Sequence, residues 1–307
     1  MAIRQCPTCG ASVEADDTVL STSCAFCDSP LVDSDHAAEP VDAVASFTVP
    51  KERAVALLKG FLQSQRMAPE SIRKAAEPDE IDAVLVPFYA YNATARSEYS
   101  AQVGVNWQRT ETYVAYEDGK AVTKTRQVTE TEWFPLSGTH RREWKDHLVS
   151  ASKGLPEADA NELEPFDLGR AKPYAPELTA GLIAEHPTIA HQQAHDVARN
   201  ELAALEKRAI ADNLLPGDKY QSLQSSTSVD VGSVRLVLLP VWIAAVQGPK
   251  GTIRLLVNGQ TGEVVGFVPR SGLKVVMMVL AIIVVIGLVL SVLLGGTACL
   301  GIVGGFL

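Results

Sequence analysis

From Val275 to Leu307 the chain carries no charged residue, and the segment Val275 to Leu294 holds 15 Val, Ile or Leu residues in 20. A helix of that length is about 30 Å long, roughly the hydrocarbon thickness of a bilayer. At about −0.3 to −0.6 kcal/mol per such residue, insertion is favoured by roughly 5–9 kcal/mol, an upper figure because off-centre positions count less. A buried core helix is the competing reading. A helix apolar on every face at a chain end leaves little protein to bury it. The sequence therefore predicts a transmembrane helix over 273–294. Residues 1–272 become the cargo of a C-terminal anchor, and 295–307 a short non-cytoplasmic tail.

Arg270 and Lys274 flank this segment on its N-terminal side, and nothing basic follows it. The positive-inside rule places residues 1–272 of such a single-pass chain in the cytoplasm. The first residues lack the apolar core of a signal peptide, which agrees with that orientation. Gly287, Ser291, Gly295 and Cys299 recur every four residues. Small residues so spaced let two membrane helices approach closely, which would make a parallel homodimer. The plainer reading is that glycine and serine are simply common in membrane helices.

At the other end, Cys6-Pro7-Thr8-Cys9-Gly10 is followed by Cys24-Ala25-Phe26-Cys27. Two Cys-x-x-Cys knuckles in a cytoplasmic chain point to a metal rather than to disulfides. Four thiolates close a tetrahedron around Zn²⁺ and leave no position open for water or substrate, so the expected role is structural. Gly10 suits the left-handed residue that such a turn wants. A module this small has almost no core, and metal binding, worth on the order of 10–16 kcal/mol, would supply its folding energy. A redox pair and an iron–sulfur site are the alternatives. The expected ligands are Cys6, Cys9, Cys24 and Cys27, with one structural Zn²⁺ per chain.

Charge argues against nucleic acid as the partner. The formal net charge is −9. Residues 1–50 hold one basic residue, Arg4, against Glu14, Asp16, Asp17, Asp28, Asp33, Asp35, Glu39 and Asp42, a net −7. A polyanion is repelled from such a surface.

Between the two ends the periodicity changes several times. Asp28 to Val44 is acidic, polar and Pro-containing, and reads as a linker. Ala54, Leu57, Leu58, Phe61 and Leu62 form one helical stripe, and a second short helix is expected over Pro69 to Ala76. Residues 82–134 alternate as strands, with breaks between Tyr99–Trp107, Thr112–Tyr116 and Ala121–Glu132 and a turn at Glu117-Asp118-Gly119-Lys120, which reads as an antiparallel meander. Residues 153–180 are loop-like. A long helix follows from about Thr188 to Asp212, with Ala194, Val197, Ala198, Leu202, Leu205 and Ala209 as its stripe. Strands return at Ser233–Val246, Gly251–Val257 and Glu263–Val268. Leu85-Val86-Pro87-Phe88-Tyr89 is echoed by Leu238-Leu239-Pro240-Val241-Trp242, which suggests two related β units.

No catalytic constellation emerges. His191 and His195 share a helix face, but Gln192 stands where a zinc peptidase has its general-base Glu, and a solvated helix face is the expected reading. Neither a P-loop nor a Gly-x-Ser-x-Gly elbow occurs. Asn258-Gly259-Gln260-Thr261-Gly262 could cradle an anion, though a hairpin turn is the simpler reading. The chain is not expected to be an enzyme.

Taken in order, the Cys-Pro-x-Cys-Gly knuckle, Leu85 to Tyr89, Leu238 to Trp242, Val257 to Gly262 and the apolar C-terminal segment carry a resemblance. The chain resembles bacterial zinc-ribbon membrane proteins of the YdjG type. Members often bear a label borrowed from replication-restart helicases; this sequence has no helicase motor. The resemblance implies a single-pass adaptor of the bacterial inner (plasma) membrane that partners an SPFH-domain (flotillin-like) protein in envelope-stress handling. The expected fold is α+β: a zinc ribbon at 1–33, an acidic linker at 34–46, an antiparallel β-rich domain with packed helices at 47–272, and the transmembrane helix. The expected function is a scaffold holding a protein partner at the cytoplasmic face. A nucleic-acid-binding ribbon protein and an enzyme without a recognisable motif are the rivals.

Overall fold

The computed structural model describes residues 2–6, 8–15, 18–27, 29–32, 39–73, 80–117, 119–248 and 251–299. Four short strands open the chain: β1 (Ala2–Gln5), β2 (Ser12–Ala15), β3 (Val19–Ser23) and β4 (Pro30–Val32). β5 (Ala43–Val44) precedes two helices, α1 (Lys51–Ser64) and α2 (Glu70–Arg73). Then come two long strands, β6 (Glu80–Glu117) and β7 (Lys120–Ser150), and helix α3 (Glu157–Leu163). β8 (Lys172–Pro173) and β9 (Ile183–Glu185) lead to α4 (His191–Asn213). The chain continues through β10 (Lys219–Gly248), β11 (Gly251–Asn258), β12 (Val264–Val265) and α5 (Gly272–Cys299). The chain divides into two units, the first formed by Met1–Ala45, Leu85–Asn161 and Leu168–Leu239, the second by Ser46–Val84, Glu162–Asp167 and Pro240–Leu307.

In the first unit, β6 and β7 pair antiparallel from Phe88 opposite Ser150 out to Glu117 opposite Lys120, with one bulge between Tyr91 and Ala93. The turn expected at Glu117–Lys120 falls where β6 ends and β7 begins, but the break expected between Trp107 and Thr112 does not occur, because alternating β-branched and aromatic residues keep β6 one continuous strand. Helix α4 covers the base of this hairpin. Its buried residues, Ala194, Ala198, Leu202, Glu206 and Ile210, fall every four positions. Small Ala194 and Ala198 meet Tyr89, Tyr91, Val149 and Leu236, while Leu202 fills the space over Ala93, Ala95 and Val229. Large side chains thus face small ones across the layer, the arrangement dense packing requires. β3 lies between β4 and β9, antiparallel to both.

The second unit is built the same way around α1. Trp242 opposite Val257, Ala244 opposite Leu255 and Val246 opposite Ile253 are cross-strand pairs of β10 and β11 on one face. Ala54, Leu58 and Leu62 of α1 are buried in the same cluster. Each large aliphatic side chain so buried contributes roughly 1.5–3 kcal/mol.

The fold class departs from expectation in two respects. The sheet is mixed rather than antiparallel, because β5 runs parallel to β10, with Ala43 opposite Val237 and Val44 opposite Leu238. A two-residue strand preceded by a polar stretch carries no alternation to announce it. In addition, among the described residues no helix is long and apolar enough to cross a membrane. This overturns the transmembrane helix over 273–294 and the single-pass inner-membrane localisation. The expected dimer stripe is described only at Gly287 and Ser291, where the Ser291 hydroxyl turns back to the Leu288 carbonyl at 2.8 Å. The side chains at 295 and 299 and all of 300–307 lie outside the described residues, as do residues 34–38 of the expected linker.

Candidate metal centre

Each knuckle is shaped by backbone bonds before any thiol is considered. The Gly10 N–H donates to the Cys6 carbonyl at 2.9 Å, and the Cys6 N–H donates to the Ala11 carbonyl at 2.9 Å. Gly10 takes a φ of 73°, a conformation that costs glycine nothing and a side chain about 1 kcal/mol or more. In the second knuckle the Cys24 N–H donates to the Ser29 carbonyl at 2.8 Å, and the Phe26 N–H points at the Cys24 sulfur at 3.4 Å.

These turns bring all four sulfurs together. Cys6, Cys9, Cys24 and Cys27 are free thiols, and their Sγ atoms all lie within 4.8 Å of one another. Cys6 and Cys27 are 3.6 Å apart, and Cys9 and Cys24 are 3.8 Å apart. Four sulfurs held at about 2.3 Å from one ion stand about 3.8 Å apart, so the cluster could hold a metal ion. Cys6 and Cys24 are buried with Val13 and Leu31, while Cys9 and Cys27 face outward.

The electrostatics of the cluster are uneven. The Ser29 hydroxyl lies 3.1 Å from the Cys6 sulfur and 2.9 Å from that of Cys27. Its hydrogen bond, with help from the Cys9 backbone N–H, draws the Cys6 thiol down to about 5. The same hydroxyl, then the Ser29 backbone N–H, lowers Cys27. Cys9 goes the other way. The Ala11 N–H favours its thiolate, but the Cys27 thiol, burial and the other two sulfurs outweigh it and push Cys9 up to about 12. Crowded thiolates repel, and a cation at their centre removes that repulsion.

Other sequence candidates fare differently. In the Asn258 turn the side-chain Oδ1 accepts the N–H groups of Gln260 and Thr261 at 2.7 and 3.0 Å. Those amides are occupied, which makes the segment a turn rather than an anion cradle. His191 and His195 do not lie on a solvated face: their rings pack against Tyr89 and Tyr91. Of the eight acids among residues 1–50, Glu39 accepts the Tyr89 hydroxyl and Asp42 accepts the Leu236 N–H. Both work inside the fold. The acids at 14, 16, 17, 28, 33 and 35 have side chains outside the described residues.

The chain is 24% identical over 241 residues to the uncharacterized protein YdjG of Bacillus subtilis (strain 168). The match covers 76% of this chain and 64% of YdjG, so the chain spans less than two thirds of that relative. No family model matches the sequence, and no solved structure matches it.

Proposed function

We propose that the chain is a zinc-stabilised scaffold that binds a protein partner, with the four cysteines holding one structural Zn²⁺ in a ribbon-like knuckle pair. Four thiolates are soft donors that suit Zn²⁺ in a closed tetrahedral site, and a closed site has no position for substrate. The observation that carries the scaffold reading is the outer part of the β6–β7 hairpin. Val105, Trp107 and Tyr113 are 45%, 45% and 40% exposed, and Phe134 is 44% exposed. Strand alternation and the pairing of Val103 with Phe134 put all four on one face. Arg109–Glu130 and Arg126–Glu111 ion pairs interrupt the patch. Aromatics bordered by charge are what protein interfaces are enriched in. The resemblance to YdjG-type proteins makes an SPFH-domain protein the partner of choice.

The test is direct binding of the purified full chain to the SPFH-domain protein of the same organism, followed by calorimetry. Replacing Trp107, Tyr113 and Phe134 together by Ser should abolish binding while the far-UV spectrum stays unchanged. Binding that survives this triple change sinks the proposed surface. A nucleic-acid role is the second reading, and the net −7 of residues 1–50 disfavours it. Micromolar, strongly salt-dependent binding to mixed-sequence oligonucleotides would revive it.

A further inference from the structure

We propose that Tyr91, His191 and His195 form a second metal site in the first unit, apart from the cysteines, that takes one divalent first-row transition ion through two imidazole nitrogens and a phenol oxygen.

Tyr89 and Tyr91 alternate along β6 and present their rings to the face that α4 covers. His191 and His195 stand one turn apart at the start of α4. The His191 ring is 5.4 Å from that of Tyr89 and 6.2 Å from that of Tyr91, and the His195 ring is 6.2 Å from both Tyr91 and His191. Tyr91 is wholly buried. The Tyr91 Oη, the His191 Nε2 and the His195 Nδ1 are each shut off from solvent without a hydrogen-bond partner among the described residues. One such orphan costs about 1–3 kcal/mol, and buried polar atoms are seldom left so. Three in one cluster call for a shared occupant.

The surroundings select a cation. Glu39 accepts the Tyr89 hydroxyl, and its charge is felt at Tyr91 as well. Asp196 stands 4.0 Å from the His195 Nδ1, too far for a hydrogen bond. Two acids beside the cluster repel an anion and attract a metal ion. Neutral imidazoles offer lone pairs, and a donor set of two nitrogens and an oxygen suits Zn²⁺, Ni²⁺ or Co²⁺ better than Mg²⁺ or Ca²⁺. Two imidazoles on one ion at about 2.1 Å have ring centres roughly 5 Å apart. The observed 6.2 Å asks for a side-chain rotation of about an ångström, not a movement of the helix.

The probe is Co²⁺, titrated into the full chain after its cysteine cluster has been filled with Zn²⁺. The expected result is one further equivalent with weak visible absorption and no thiolate-to-cobalt charge-transfer band. Replacing both residues, His191→Gln with His195→Gln, should abolish that equivalent. Tyr91→Phe keeps the buried ring and should weaken binding by at least the roughly tenfold that losing even an outer-sphere partner costs. Cys24→Ser with Cys27→Ser should leave the equivalent intact, which separates this site from the cysteine cluster. On the unaltered protein, Co²⁺ should shift the imidazole resonances of His191 and His195 and spare His140 and His147, whose ring nitrogens already face Glu206 and Glu201. Absence of a second equivalent, as when a buried water alone satisfies the three atoms, overturns the proposal. So does an equivalent that survives the double histidine change, one indifferent to Tyr91→Phe, or shifts confined to other histidines.

Discussion

The indole N–H of Trp242 donates to the Val49 carbonyl at 2.9 Å, fixing the entry to α1 against the strand that α1 covers. The Phe47 ring stands 4.8 Å from the same indole at 57°. Trp242→Phe removes the donor, strands a buried carbonyl and leaves space beside Phe47. It should destabilise the second unit by about 2–4 kcal/mol. Equilibrium unfolding in urea measures it, and a loss below about 0.5 kcal/mol, the range of ordinary surface changes, contradicts the account.

Glu206 is a fully buried carboxylate on α4. One oxygen accepts the Trp144 indole N–H at 2.9 Å, and the other meets the His140 Nδ1 at 2.8 Å. Glu206→Ala leaves both partners without a mate and opens a cavity, so a loss of about 3–5 kcal/mol is expected. Glu206→Gln keeps an acceptor for Trp144 and should cost less. If the two variants unfold at the same denaturant concentration, the carboxylate is not what holds the pair.

Much of this fold is legible in residue spacing. The stripe on α1 predicts Ala54, Leu58 and Leu62, all buried, and that on α4 predicts Ala194, Ala198 and Leu202. The fourth buried position on α4 is Glu206, invisible to any search for apolar residues, because its partners lie more than 60 residues away on β7. The echo between Leu85–Tyr89 and Leu238–Trp242 has a physical counterpart. The Pro87 carbonyl accepts the Ala151 N–H at 2.9 Å, and the Pro240 carbonyl accepts the Gly259 N–H at 2.8 Å. Each acceptor precedes a strand pair in the same register, Phe88 with Ser150 and Val241 with Asn258. The four cysteines are legible because the chemistry demands the spacing. The His191–His195 cluster is not, since its environment comes from Tyr89 and Tyr91, about 100 residues earlier. The parallel β5–β10 pair is likewise set by packing alone. Hydrophobicity by itself gave the C-terminal segment a membrane role that the described helix does not support.

Removing the metal should expose the role of Ser29. Its hydroxyl favours the thiolates of Cys6 and Cys27. Their thiol pKa values are lowered, so the stabilisation from ionised sulfur is present above the usual thiol range and is lost as pH falls through the lowered values, near 5 for Cys6. Ser29→Ala raises those values, and protons then compete with the metal at higher pH. Acid titration of the zinc-loaded chain, followed with a chromogenic chelator, should release metal at a higher pH in the variant. Release at the same or a lower pH would show that the hydroxyl does not tune the site.

Asn258 offers the sharpest test of the turn that joins β11 to β12. It is fully buried. Its Nδ2 donates to the carbonyls of Leu163 and Pro165 at 2.7 and 3.0 Å, and its Oδ1 accepts from Gln260 and Thr261. Every hydrogen-bonding direction of the amide has a use, and the donor and acceptor ends are not interchangeable. Asn258→Asp keeps the acceptor but sets a buried charge against two carbonyl oxygens. Asn258→Ala removes both ends and leaves two carbonyls without their donor, at about 1–3 kcal/mol for each group stranded. Because an uncompensated buried charge is worse than an absent side chain, the Asp variant should be the less stable of the two at pH 8. Lowering the pH protonates that carboxyl, turns one oxygen into a donor and should narrow the gap. Urea unfolding of both variants at pH 8 and pH 5 decides the matter, and an Asp variant as stable as the parent at pH 8 would mean that Nδ2 is not what binds the Leu163–Pro165 segment.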